Sequence, residues 1–325
     1  MLVRPRRNRC HPAIRSLVRE TELSPRNLVL PLFVTEGQGQ AIPIPSMPGQ
    51  ARLSIDRLVD HAREAARLGV PAVALFPALA DALKNPRGTE SLNPNGLMQR
   101  SIRALKHSLP DLAVITDVAL DPYSSDGHDG LVVDGQIAND ATLPLLAEMA
   151  VAQARAGADV VAPSDMMDGR VRAIREALDS AGFTEVLICS YCCKYCSAFY
   201  GPFREALDSA PRGGDKKTYQ MDPANRREAV RELRLDATEG ADWLMVKPGL
   251  PYLDIVRLAA DTGELPVAAY HVSGEYAMLK AAAAQGWLDY DACLLESLLC
   301  LRRAGADIIF TYAAVEAARL LNEQR

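Results

Sequence analysis

The sequence predicts a single (β/α)8 TIM barrel preceded by an extended N-terminal arm. Three observations carry this reading: eight short apolar runs, helical patterns between them, and one glycine junction repeated along the chain. The runs are 28–34, 71–76, 112–118, 158–162, 185–191, 241–246, 266–272 and 306–312. Each is almost continuously apolar, as a parallel strand covered on both faces must be.

Residues 1–26 form the arm. They hold Arg4, Arg6, Arg7, Arg9, Arg15 and Arg19 and offer no core face. Such a segment is either a solvated tail or an arm that embraces a neighbouring subunit. A short amphipathic turn at 13–19 suits both. Residues 27–325 are then the barrel domain. Its helices include 54–68, 139–156, 169–181, 223–239 and 273–284, with Ser54, Asp140 and Thr142 as capping candidates. Gly69, Gly157, Gly240 and Gly305 each separate a helix from the next strand, where a left-handed residue is wanted. Three of these junctions read Gly-Ala-Asp: 157–159, 240–242 and 305–307. No Gly-x-Gly-x-x-Gly turn follows the first strand, which disfavours an open dinucleotide-binding sheet. Two long loops, 121–136 and 195–217, follow the third and fifth strands on the rim where barrels place their chemistry.

Composition narrows the function. Across 325 residues, 49% are hydrophobic, 24% are charged and the net charge is -5, a poor balance for a nucleic-acid binder. No apolar run is long enough to span a bilayer, so no membrane role is expected. Seven cysteines, four of them crowded into 189–196, do not make a disulfide framework. They imply a reduced and, on that ground, cytoplasmic protein.

Two lysines stand at the ends of adjacent strands: Lys194 after the fifth and Lys247 after the sixth. A lysine amine attacks a ketone only when unprotonated, and an apolar wall and a second cation both favour that form. Each lysine can supply the other's cation. Around them, Ser273 begins a helix after the seventh strand and can seat a carboxylate or simply cap the helix. Tyr312 ends the eighth strand as a phenolic donor. Arg204, Lys216 and Gln220, in or beside the long fifth loop, suit a second anionic group.

Several ordered motifs resemble one family. They are Met245-Val-Lys-Pro-Gly-Leu-Pro-Tyr-Leu-Asp254, Val272-Ser-Gly-Glu-Tyr-Ala-Met278, Tyr219-Gln-Met-Asp-Pro223, Phe199-Tyr-Gly-Pro-Phe-Arg204 and Asp117-Val-Ala-Leu-Asp-Pro122. Over nearly the whole chain the sequence resembles the porphobilinogen synthases, or 5-aminolevulinate dehydratases. The resemblance implies condensation of two 5-aminolevulinate molecules to porphobilinogen with loss of two waters, in tetrapyrrole (haem) synthesis. It also implies a homo-oligomer, commonly an octamer embraced by the arms. By motif, Lys247 holds the first substrate, with Ser273 and Tyr312 on its carboxylate. Lys194 holds the second, with Arg204, Lys216 and Gln220. Asp117 assists proton transfer.

The chain departs from zinc-using members, which carry three cysteines where this one has Ala119, Asp121 and Asp129. A three-cysteine zinc site is therefore not expected. Glu232 matches a peripheral, allosteric Mg2+ site, and Asp121 with Asp129 forms a weaker oxygen-donor alternative. Asp126 stands where many relatives have histidine. Cys189, Cys193 and Cys196 have the spacing of the iron–sulfur loop in radical enzymes, the rival mechanism. Strict strand alternation argues against it, placing Cys189 and Cys193 on one face and Cys192, Lys194 and Cys196 on the other. A barrel that only binds partners is a third reading, weakened because every expected catalytic group is present.

Overall fold

The computed structural model describes residues 1–207 and 211–323. The arm holds a 3-10 turn at Pro5–Asn8 and helix α1 (Pro12–Leu17). Residues 1–20 are exposed throughout, so the arm rests on no core of its own chain. Strand β1 (Leu28–Val34) opens the barrel and is wholly buried. A short antiparallel ribbon follows, β2 (Ala41–Pro43) with β3 (Ala51–Leu53), leading to α2 (Ile55–Arg67). Then come β4 (Ala72–Pro77), α3 (Leu97–Ser108), β5 (Ala113–Val118), and a hairpin of β6 (Val132–Val133) and β7 (Gln136–Ile137). Asp134 and Gly135 make its turn, both at positive φ, as a two-residue hairpin loop demands. The chain continues with α4 (Asn139–Ala156), β8 (Val160–Pro163), α5 (Arg170–Ser180) and β9 (Leu187–Lys194). After β9 come a 3-10 turn at Ala198–Tyr200, α6 (Gly201–Leu207) and α7 (Arg227–Glu239). Last are β10 (Trp243–Lys247), α8 (Leu253–Thr262), β11 (Val267–His271), α9 (Ser273–Ala284), α10 (Tyr290–Ala304), β12 (Ile308–Thr311) and α11 (Ala314–Glu323).

The barrel order is β1-β4-β5-β8-β9-β10-β11-β12, all parallel, and β12 closes on β1. All eight expected strands are present, within two or three residues of their expected limits. The glycine junctions hold as well: Gly69, Gly157, Gly240 and Gly305 have φ of 89°, 107°, 104° and 117°. The aspartates of the Gly-Ala-Asp repeats have a shared task. Asp159, Asp242 and Asp307 accept the main-chain N–H of Val114, Ile188 and Val267, at 2.8, 2.7 and 3.1 Å. Each carboxylate thereby staples its own strand to the preceding one at the base of the barrel. Among the described residues no helix is long and apolar enough to cross a membrane.

Three local expectations change. Ser54 does not cap α2 through its hydroxyl; that Oγ donates to Asp56 Oδ1 (2.5 Å) and accepts from Gln40 N (2.8 Å), tying the ribbon to the helix. Helix α4 begins after Ala138, so Asp140 and Thr142 lie inside it, where Thr142 Oγ1 accepts from Leu131 N (3.0 Å). Helix α7 starts at Arg227 rather than Pro223.

Strand β9 also breaks the expected alternation. Its pairing with β10 runs Trp243 to Cys189 and Leu244 to Ser190, then skips to Val246 with Cys193 and Lys247 with Lys194. This bulge inserts one residue. Ser190 turns outward to Arg170 of α5 and Asp236 of α7, whereas Tyr191 turns inward to the mouth. Cys193 Sγ faces Ala229 O on α7, and Cys192 Sγ lies against Met245 O. Strict period-two assignment of the four cysteines therefore fails at the bulge.

Candidate active site

Lys194 and Lys247 are directly paired at the mouth end of β9 and β10. Both are nearly buried, but their surroundings are opposite in kind. Lys247 Nζ sits among four aromatic rings: Tyr270 at 4.5 Å, Phe203 at 5.0 Å, Tyr191 at 5.1 Å and Tyr200 at 5.4 Å. Among the described residues no carboxylate pairs with it. Burial, with the nearby Lys194 charge adding to it, lowers its pKa to about 7. A useful fraction of the amine is therefore neutral near pH 7.

Lys194 is held by oxygens. Its Nζ donates to Asp129 Oδ2 (3.2 Å) and to the carbonyl of Ser164. Asp129 also accepts from Lys216 Nζ (2.5 Å) and Gln220 Nε2 (3.5 Å), and Lys216 reaches Asp121 Oδ2 (3.4 Å). Asp129 is fully enclosed. Burial alone would raise its pKa, but Lys194 and Lys216 outweigh that and hold it near about 2. Lys216 responds in kind: burial pulls its pKa down, and Asp121 and Asp129 carry it above the ordinary value. The Asp121–Asp129 pair thus neutralises two lysines, a different use from the metal-holding one expected of it.

Asp117 ends near both amines on β5. Its Oδ1 is buried without a hydrogen-bond partner. Burial first, and Asp121 second, raise its pKa to about 7 against the pull of Lys194 and Lys247. A carboxyl poised there can take or give a proton near neutrality.

The remaining expected residues converge less evenly. Tyr312 Oη meets Tyr270 Oη at 3.1 Å, and its ring stacks on Phe33. Ser273 Oγ accepts from Phe203 N (3.1 Å), so it contacts the fifth loop as well as opening α9. Gln220 Oε1 is buried and unpartnered. Arg204 lies on α6, half-buried. Glu232 stands apart on the outer helix α7. Burial, then Asp236, raises its carboxyl to about 7, and Asp168 and Glu228 add to the effect.

Sequence reasoning missed the aromatic box. Tyr191, Tyr200, Phe203 and Tyr270 look like core residues in sequence; only their convergence on a lysine gives them a role. It also missed the staple made by Glu275, whose buried carboxylate accepts from Val272 N (2.7 Å), Leu250 N (2.6 Å) and Gly249 N (3.3 Å). Those bonds fasten the turn just beyond Lys247 to the start of α9.

A family model described as delta-aminolevulinic acid dehydratase matches residues 2–320. The chain belongs to that family. Members of the delta-aminolevulinic acid dehydratase family condense two 5-aminolevulinate molecules to porphobilinogen, a hydro-lyase reaction of tetrapyrrole synthesis, and this chain has that activity. It is 62% identical to the chloroplastic enzyme of Glycine max over 98% of this chain and 77% of that protein. The Physcomitrium patens enzyme is 60% identical over 100% and 76%. Among solved structures, the dehydratase of Toxoplasma gondii ME49, in complex with the reaction product porphobilinogen, superposes with a TM-score of 0.98. It shares 55% identity and covers 100% of this chain and 93% of its own. The relatives correct one expectation. Several dehydratases this similar are named as chloroplastic, against the cytoplasmic placement. Unpaired cysteines report a reducing compartment and do not distinguish one such compartment from another.

Proposed function

We propose that Lys247 and Lys194 are the two Schiff-base lysines of this dehydratase. The pairing of two buried amines across adjacent strand ends carries the reading. Each amine adds to a substrate ketone and one water leaves, which accounts for the two waters lost overall. The protonated imine then serves as an electron sink for the carbon that forms the new C–C bond. Displacement of one lysine by a substrate amine, and elimination of the other, return both free amines. Holding both substrates replaces a bimolecular encounter.

The asymmetric surroundings support unequal roles. Lys247, in its apolar box, takes the first substrate, with Ser273 and Tyr312 on the carboxylate and Asp117 moving the proton. Lys194 takes the second, with Arg204, Lys216 and Gln220 on its carboxylate. The test is borohydride reduction in the presence of 5-aminolevulinate, followed by peptide mapping. Substrate should be attached at Lys247 and at Lys194, and Lys247→Ala should lose both label at that site and turnover. An active Lys247→Ala enzyme rejects the assignment.

Among the described residues no three ligating side chains converge at Glu232, so a cation there would be held by few carboxylates and mostly by water. The Glu232 carboxyl is raised toward neutrality first by burial and then by Asp236, Asp168 and Glu228, and Mg2+ binds through one or two carboxylates while keeping several waters. In this reading Mg2+ at Glu232 acts allosterically, favouring an assembled homo-oligomer, an octamer, through its exposed arms. It does not touch substrate.

A further inference from the structure

We propose that Arg52 is a positioning residue for the reaction: its guanidinium grips the end of α6 and so holds Phe203 and Arg204 over the mouth. Arg52 stands on β3, in the ribbon after the first barrel strand, far in sequence from the lysines. Its Nε donates to Ala206 O and its Nη2 to Glu205 O, each at 2.6 Å. Both carbonyls belong to the last described turn of α6. A helical segment in a loop depends on tertiary contacts for its position. A rigid two-donor fork matches two successive carbonyls, and a cation at a helix C-terminus is favourable.

The other end of the segment is fastened separately. Ser273 Oγ accepts from Phe203 N (3.1 Å), and α9 packs so closely that a Cβ on Gly274 would lie 2.5 Å from Phe199 O. Phe203 meets Phe33 at 5.8 Å and Phe76 at 5.3 Å, and forms one wall of the Lys247 box at 5.0 Å. Releasing α6 would therefore admit water to Lys247 and withdraw Arg204 from the second carboxylate.

The inference rests on Lys247 and Arg204 having the roles given above. Charged and titratable groups facing Lys247 are Lys194 and Tyr191 from β9, Asp117 from β5, Asp121 and Asp129 from the following loop, Tyr200 before α6 and Tyr270 from β11. Arg52 is not among them, so it can act on Lys247 only through α6. Removal of water from Lys247 lowers its pKa. Rehydration would raise it, and the acid limb of kcat/KM would move to higher pH.

The experiment compares wild type, Arg52→Met, Arg52→Lys and Gly274→Ala. Arg52→Met should raise KM at least tenfold with a smaller loss in kcat, because saturating substrate re-closes the segment at the cost of apparent affinity. Its acid limb should shift up by about one pH unit, and trypsin should cut faster after Arg204. Arg52→Lys should recover part of each effect. A native melting temperature with unchanged KM, limb and cleavage in Arg52→Met overturns the proposal. If that variant folds poorly, Arg52→Lys is judged by the same outcomes, and Gly274→Ala reports only on the opposite end. Borohydride labelling of Lys247 in wild type separates the two readings: its absence defeats the lysine assignment, whereas its presence beside an inert Arg52→Met defeats only the grip.

Discussion

Lys247 and Lys194 face each other across the β9–β10 pair, but only Lys194 is given an anion. The cation that lowers the pKa of Lys247 is thus itself stabilised by Asp129. Lys247, with no carboxylate paired to it among the described residues, has its pKa lowered first by burial and then by the Lys194 charge.

Replacing Lys194 by Met removes that neighbouring charge. The folded-state pKa of Lys247 should rise, so the acid limb of Schiff-base formation moves to higher pH. Single-turnover borohydride trapping at Lys247 across pH 5 to 9 checks this. Trapping at Lys247 should persist while turnover is lost.

Asp117→Asn should act in the opposite sense on that limb. The Asp117 charge raises the Lys247 pKa, so its loss lets the amine deprotonate at lower pH. Turnover should nevertheless fall by roughly 10²–10⁴-fold, the usual contribution of a positioned acid–base group. A pH–rate profile of trapping beside one of kcat separates the two effects.

Asp129→Asn should be severe. It leaves Lys194 and Lys216 buried beside a neutral amide, a type of change that costs about 3–5 kcal/mol. The carboxylate's depressed folded pKa fixes the pH window. Its stabilisation is present above the unfolded value and is lost as pH falls toward about 2. Urea unfolding at neutral pH and near pH 3 should show wild type losing stability on acidification, with the Asp129→Asn variant losing less.

Exhaustive chelation should lower activity without abolishing label at Lys247. Magnesium should restore activity and larger species in wild type but not in Glu232→Ala. Sedimentation and turnover measured on the same samples test this. Recovery by zinc alone would contradict it.

Deleting residues 1–24 removes a segment that is exposed along most of its length. An arm without a core of its own gains stability only on a partner. Smaller oligomers with lower activity are expected by sedimentation. An unchanged oligomer would refute the arm's role.

The strands were legible in sequence because they are buried on both faces and bounded by glycine junctions such as Gly240-Ala241-Asp242. The lysines were legible because each ends an apolar run. The ribbon was not, since three-residue strands carry too few positions for any period. Asp129 looked like an oxygen donor for metal; its hold on Lys216, 87 positions away, is a tertiary fact. The aromatic box is hidden for a related reason: Tyr191 and Tyr270 have the composition of core, and direction alone makes them functional. The bulge has no periodic signature, so reasoning about the cysteines by alternation could not detect it.

That bulge sets the height at which the second amine reaches the mouth. Counting from the stapled base, Asp242 to Lys247 is one residue shorter than Ile188 to Lys194, yet the two lysines arrive level. An unbroken pairing from Ser190 would instead bring Cys193 opposite Lys247 and turn Lys194 outward, one step too high; the bulge takes up that extra residue. The two amines arrive level only because the strand spends one residue on a bulge below them.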